Sequence, residues 1–264
     1  VHPRYEQIGA PTGRFSCSKP NFQSTPKGSF RACFIASPGH KLVIADYSQI
    51  ELRVLAEITQ DERMIAAFRK GEDLHKLTAS VITGIPLEQV TVKERQAAKA
   101  VNFGLIYGMG AKGLKDYAYD TYEVSMSLEQ AYRFIQRYFD FYKEVNDWQQ
   151  RIKQNSIDET RTILGRRRMW TEHPKVTELL NSPIQGTAAD IIKEALVILM
   201  REIENTDCKI AGCVHDEIIM EVPESMAEWA ETVLTNTMAQ AGSKYLKSVP
   251  VIVDVRTANN WSEK

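Results

Sequence analysis

The chain has 264 residues, 43% hydrophobic and 25% charged, which excludes a disordered tail, a fibrous repeat or a short peptide module and leaves a packed globular protein of one large or two modest domains. Its 33 Lys and Arg stand against 34 Asp and Glu for a formal net charge of -1, so bulk basicity makes no case for nucleic acid and any polyanion must be held locally. The four cysteines, Cys17, Cys33, Cys208 and Cys213, form no CxxC pair and have no His at zinc-finger spacing, so reduced thiols and a cytoplasmic setting are expected. No apolar run approaches the roughly 20 residues of a membrane span. The start, Val1-His2-Pro3-Arg4-Tyr5, lacks the succession of a signal peptide and reads as mid-phrase, as in a fragment of a longer protein.

In chain order, residues 1–39 carry the turn signals Pro11-Thr12-Gly13 and Thr25-Pro26-Lys27-Gly28, which predict an extended, loop-bearing lead-in with no regular helix. Leu42-Val43-Ile44-Ala45 is a short apolar run ending at Asp46, the pattern of a buried strand whose last residue emerges at the sheet edge. Ile50, Leu52, Leu55 and Ile58, then Met64, Ile65 and Phe68, recur at helical spacing across a polar break at Thr59-Gln60-Asp61. Helical periodicity continues over 73–83, 92–109, 127–155 and 186–204, the last opening after Pro183. Strand character returns at Arg161–Trp170, with Gly165 as a hairpin turn, at Lys209–Val222 and at Val249–Val255. Strands so far apart in sequence predict an α+β fold: one antiparallel sheet backed by helices, with a helical insertion after the first strand.

Several residues stand out chemically. Asp46 ends an apolar run, and Cys213-Val214-His215-Asp216-Glu217-Ile218 places His215, Asp216 and Glu217 near a hairpin tip. Two carboxylates at neighbouring strand ends suit hard divalent cations and phosphoryl transfer, although either Asp alone is more often a cap or turn residue. Arg95, Lys99, Phe103 and Tyr107 lie four apart and share one helix face, basic at one end and aromatic at the other. That stripe suits a nucleotide, with charge-assisted donors for phosphates and a ring for the base. A solvated basic turn followed by core aromatics reads equally well. His75 falls in the first turn of a helix, where it reads as a phosphate contact or a partly exposed structural residue. Arg166-Arg167-Arg168 follows Gly165 and could grip a backbone or simply be solvated. Gln185-Gly186-Thr187-Ala188-Ala189-Asp190 reads as a closely packed helix start.

In order, these segments resemble the polymerase module of family A DNA polymerases. Asp46-Tyr47-Ser48-Gln49-Ile50-Glu51-Leu52-Arg53 is similar to motif A, Arg95-x3-Lys99-x3-Phe103-x3-Tyr107-Gly108 to motif B, and His215-Asp216-Glu217 to motif C. Thr12-Gly13-Arg14, Gly165-Arg166-Arg167-Arg168 and Gln185-Gly186-Thr187-Ala188-Ala189-Asp190 extend the resemblance over nearly the whole chain.

The resemblance implies a right-hand fold, with palm in 1–64 and 171–264 and helical fingers in 65–170. It implies that Asp46 and Asp216 bind two magnesium ions, with Glu217 supporting. Arg95 and Lys99, assisted by His75 and Gln49, would hold the triphosphate of a deoxynucleotide, Lys99 also serving the leaving pyrophosphate. Phe103 would pack on the nucleotide, Tyr107 would guard the template-base position, and Glu51 would exclude a 2'-hydroxyl by occupying its space. Arg14, Asn181, Gln185 and His215 would touch the primer-template near the minor groove, and Arg167 its backbone. Phe103, in place of Tyr, resembles members that discriminate against dideoxynucleotides.

Departures are Ser24 where the family usually has Asn, Thr177 where it commonly has Arg, and Gly110 where Ser is usual. The chain begins near the start of the palm, so proofreading and most of a thumb are expected to be absent, and a separate thumb or exonuclease segment is expected as a partner. The rival readings are a non-catalytic nucleic-acid-binding fragment, a metal-dependent nuclease and an RNA polymerase. Glu51 opposes the last, and the motif B stripe has no evident use in a nuclease.

Overall fold

The computed structural model describes residues 1–26 and 28–263. The lead-in forms a small ribbon of β1 (Arg4–Glu6) and β2 (Ser16–Ser18), followed by a one-turn helix α1 (Ser29–Ala32). This short helix departs from the expected helix-free lead-in. It packs beside the last turn of the chain, a tertiary contact that no local periodicity announces.

Next come β3 (His40–Tyr47), α2 (Ile50–Thr59), α3 (Glu62–Arg69), α4 (Leu74–Thr83), α5 (Val92–Ile106) and α6 (Ala111–Tyr122). After them run α7 (Leu128–Phe141), α8 (Lys143–Gln154), a second ribbon of β4 (Glu159–Arg161) and β5 (Arg167–Met169), and the long α9 (Val176–Glu202). The chain closes with β6 (Lys209–Val214), β7 (Glu217–Pro223), α10 (Ala227–Ser243) and β8 (Val253–Ala258). The main sheet is antiparallel throughout in the order β6-β7-β3-β8.

The alternation along β3 positions everything else. Val43, Ala45 and Tyr47 face a large core shared with the helices, while Leu42 and Ile44 face a smaller cluster with Phe22, Ile219 and Trp261 on the other side. The strand is therefore covered on both faces and reads as a continuous apolar run. It lies inside the sheet rather than at an edge, and Asp46 is its penultimate residue, paired on both sides.

Local signals explain four of the helix starts. Asp61 and Asp73 cap α3 and α4 through their carboxylates. Capping boxes from Thr91 with Glu94 and from Ser127 with Gln130 start α5 and α7.

Three helical expectations are corrected. The run 127–155 breaks at Tyr142, whose φ of -96° and ψ of 76° leave the helix although no Gly or Pro marks the spot. Its fully buried ring packs on Tyr138 with centroids 4.8 Å apart, so packing makes the turn. The expected helix at 186–204 begins ten residues earlier, with Pro183 inside it. Burial of Leu179, Leu180, Ser182, Pro183 and Ile184 compensates for the missing donor. Helix α5 ends at Ile106 rather than 109, because Gly108 takes a left-handed φ of 71°. Helices α6 and α10 were not expected, and the last strand starts at Val253 rather than 249. No helix among the described residues is long and apolar enough to cross a membrane.

Candidate functional site

The β6–β7 hairpin turns in two residues, His215 and Asp216, with Val214 paired to Glu217 and His215 in the left-handed region at a φ of 58°. Register then brings the acids together. Asp46 sits directly opposite Glu217 on one side and Asp254 on the other, and the Tyr47 N–H donates to the Asp216 carbonyl at 3.3 Å. Burial, and next the charge of Asp46, push the Asp216 carboxyl well above the usual carboxylate range; Glu51 adds to this and Arg14 opposes it.

A cleft of about 360 Å³ opens here, lined among others by Arg31, Asp46, His215, Asp216, Glu217 and Trp261. Glu217 is buried and accepts a hydrogen bond from Trp261 Nε1 at 2.6 Å. Arg31 lies 3.7 Å from the same carboxylate and 4.0 Å over the Trp261 ring. Neither Arg31 nor Trp261 was singled out by sequence, nor was Asp254. A Trp in an otherwise polar tail was the only signal for Trp261; Asp254 needed the strand register, and Arg31 the packing of α1 beside the Trp261 turn.

The donor set fits a hard cation. Two oxygen ligands repel one another across the cleft, and a divalent ion would relieve that repulsion. Among the described residues no group of three or more His, Cys, Asp and Glu is arranged to hold a metal ion, so an ion held by these two acids would take its other ligands from water or substrate oxygens.

The aromatic end of the α5 stripe joins this site through one hydrogen-bonded chain. Glu51, in the first turn of α2, accepts from both Arg14 and the Tyr107 hydroxyl. Gln185 Nε2 of α9 donates to Tyr107 at 3.3 Å. Burial, followed by the Glu51 charge, raises the Tyr107 phenol above its ordinary range. Four residues picked separately from sequence thus meet in space. Burial first, and then Arg14, lower the His215 imidazole at the hairpin tip from its ordinary value, while Glu51 and Glu217 oppose them.

At the basic end, Arg95 Nε donates to Asp73 Oδ2 at 2.6 Å. Burial opposes it, yet the Arg95 hydrogen bond holds Asp73 below the usual carboxylate range. Lys99 Nζ lies 5.7 Å from the Tyr122 ring centroid. His75 packs against Phe103 with centroids 5.7 Å apart, and it is buried rather than partly exposed as expected. The aromatics of the stripe are half-buried, while Ala98, Val101 and Leu105 turn into the core.

Two predicted contacts carry unmet hydrogen-bonding capacity. Gln49 Oε1 and Asn181 Oδ1 are buried without a hydrogen-bond partner among the described residues, and such atoms call for a ligand or water. Arg167 is exposed on the β4–β5 ribbon and paired with Glu159 at 2.7 Å. Its neighbours bind the protein instead: Arg166 reaches Asp190 at 2.7 Å and Arg168 reaches Ser182 at 2.6 Å.

An antiparallel sheet presenting acids at a hairpin, together with a mainly helical unit, gives the chain an α+β fold. The chain matches the family described as DNA polymerase family A over residues 1–263. It is 41% identical over 269 residues to DNA polymerase I of Aquifex aeolicus, an alignment covering 100% of this chain and 46% of that protein. The thermostable DNA polymerase I of Thermus thermophilus is 37% identical over 277 residues, covering 99% of this chain and 32% of the other. Among solved structures, the POL domain of Pol1 from M. smegmatis, in complex with DNA primer-template and dNTP, superposes with a TM-score of 0.88 at 34% identity, covering 99% of this chain and 48% of that one. The chain belongs to DNA polymerase family A. It spans less than half the length of these relatives. Polymerases of this family are in general metal-dependent.

Proposed function

We propose that this chain is the catalytic core of a template-directed DNA polymerase that adds deoxynucleotides to a primer 3'-hydroxyl with release of pyrophosphate. The observation that carries the reading is the convergence of Asp46, near the end of β3, and Asp216, in the β6–β7 turn about 170 residues later, with Tyr107, just past the end of α5, tied to Glu51. Asp46 and Asp216 are the residues that would hold two magnesium ions, with Glu217 buttressed by Trp261 beside them. When bound, such ions activate a hydroxyl and neutralise charge on phosphoryl oxygens.

The chain's own groups do the rest. Arg95 and Lys99 grip the triphosphate with charge-assisted donors, and Lys99 is placed to stabilise or protonate the leaving group. His75 and Gln49 assist, and Phe103 supplies a packing surface. Glu51, held by Arg14 and Tyr107, fills the space a 2'-hydroxyl needs. Arg14, Asn181, Gln185 and His215 meet the primer-template, and Arg167 extends that contact along the backbone.

In this reading residues 1–64 and 171–264 form the palm, and 65–170 the fingers. The setting is cytoplasmic, as the four free thiols favour. The test is extension of a labelled primer with deoxynucleotides and magnesium. Loss of extension in Asp46→Ala and Asp216→Ala is expected, together with ribonucleotide incorporation by Glu51→Ala. Extension that survives Asp216→Ala rejects the reading, and primer-template binding with no incorporation by the parent chain leaves a binding fragment.

A further inference from the structure

Behind His75 runs a fully buried chain of polar side chains that no catalytic role accounts for. The Tyr142 hydroxyl and Thr78 Oγ1 are 2.9 Å apart, Thr78 Oγ1 reaches Asn102 Oδ1 at 3.2 Å, and Asn102 Nδ2 reaches His75 Nδ1 at 2.9 Å. Tyr142, Thr78 and Asn102 have no exposure and His75 has 3%. Asparagine is a poor residue for a helix interior, so its place in the buried face of α5 requires a compensating role.

The direction of the chain follows from counting protons. Each hydroxyl donates once, so the chain runs either from Tyr142 to His75 or the reverse. Were His75 Nδ1 the donor, the Asn102 amide would be turned over and donate to Thr78, and the single Thr78–Tyr142 contact would have to serve both hydroxyl protons, stranding one of them. Among the described residues neither hydroxyl has a further hydrogen-bond partner, and a buried donor left unmet is destabilising. Run the other way, Tyr142 donates to Thr78, Thr78 to Asn102 Oδ1, and Asn102 Nδ2 to Nδ1, and both hydroxyl protons are used.

We propose that Asn102 is a positioning residue that holds His75 as the neutral tautomer protonated on Nε2, so that the imidazole offers a hydrogen-bond donor to the triphosphate beside Arg95 and Lys99. This rests on the nucleotide-binding reading given above. Geometry supports it, because Phe103 flanks the ring on the stripe and Nε2 is the nitrogen left for a ligand. The charged groups acting on His75 are Asp73, which favours the imidazolium, and Arg95 and Lys99, which oppose it. Burial outweighs them all and lowers the ring to about 4, in accord with a neutral donor.

The direct test is NMR of the intact chain with 15N-labelled histidine and no nucleotide, assigning His75 among the five histidines by its loss in His75→Gln. Near neutral pH the His75 ring is expected with a protonated Nε2 and a bare Nδ1, unchanged down to about pH 5. A protonated Nδ1, or a ring titrating near the ordinary histidine value, overturns the proposal.

In Asn102→Asp a carboxylate cannot donate to Nδ1, so the proton must move to Nδ1 or a second be added. That variant should raise the KM for deoxynucleotide about tenfold, the worth of one hydrogen bond to a charged group, while primer-template affinity stays within about twofold. In a His75→Gln background the same substitution should add nothing, and a further equal rise overturns the proposal. Absence of extension by the parent chain would defeat the polymerase reading alone, since the tautomer is read without catalysis.

Discussion

Trp261→Phe isolates the support beneath Glu217. The indole is nearly fully buried, stacks on Phe22 with centroids 4.7 Å apart at 20°, and donates its only proton to Glu217 at 2.6 Å. Phenylalanine keeps the stack and deletes the donor. A hydrogen bond to a charged acceptor is worth roughly 1.5–3 kcal/mol. Losing roughly 40 Å² of apolar ring at about 25 cal/mol/Å² adds roughly 1 kcal/mol. The sum, roughly 2.5–4 kcal/mol, should lower Tm by roughly 5–15 °C for a chain of this size.

The discriminating measurement is a double-mutant cycle in urea with Glu217→Met, which removes the acceptor but keeps a side chain of similar length. Once the acceptor is gone, Trp261→Phe should lose most of its effect, for a coupling of roughly 1.5–3 kcal/mol. Costs that add to within about 0.5 kcal/mol would show that the indole stabilises by packing alone and that Glu217 does not depend on it.

Gly108→Ala should destabilise by roughly 2–5 kcal/mol in urea unfolding: a left-handed alanine costs roughly 1–2, and its Cβ would lie 2.5 Å from Leu180 Cδ1, an overpacking worth roughly 1–3. Pairing it with Leu180→Ala should recover only the clash, after correction for the cavity that substitution leaves. His75 is lowered by burial to about 4, so the unfolded chain takes up its proton first and stability is lost as pH falls from about 6.5 toward 4, by up to roughly 3 kcal/mol. The difference in stability between the parent and His75→Gln should change across that window, and a flat difference counts against a buried neutral ring. Arg166→Ala removes the partner of the buried Asp190 carboxylate and two donors to the Thr12 and Gly186 carbonyls. It should cost roughly 3 kcal/mol by calorimetry, with Asp190→Asn restoring part of the loss in the double variant.

Sequence alone determined those parts of the molecule whose causes are local. The apolar run ending at Asp46 is a strand because its side chains are buried on both faces, and a period of four put Arg95, Lys99, Phe103 and Tyr107 on one side of a helix. The short polar interruption at His215 and Asp216 was readable as a hairpin tip, since only a tight turn separates two apolar arms there. Resemblance in motif order then carried the family, which the match over residues 1–263 bears out.

What only the tertiary structure decided depends on partners far away in the chain. Register set Asp254 beside Asp46; packing broke the long helix at Tyr142 and carried α9 through Pro183. Burial gave His75 and Asp216 proton affinities opposite in direction to each other. Side-chain pattern records which face of an element seeks the core, a property of neighbours within a few residues. The desolvation and Coulomb energies that tune a site arise from groups brought within a few ångströms by the closed fold, and no window of sequence contains both members of such a pair.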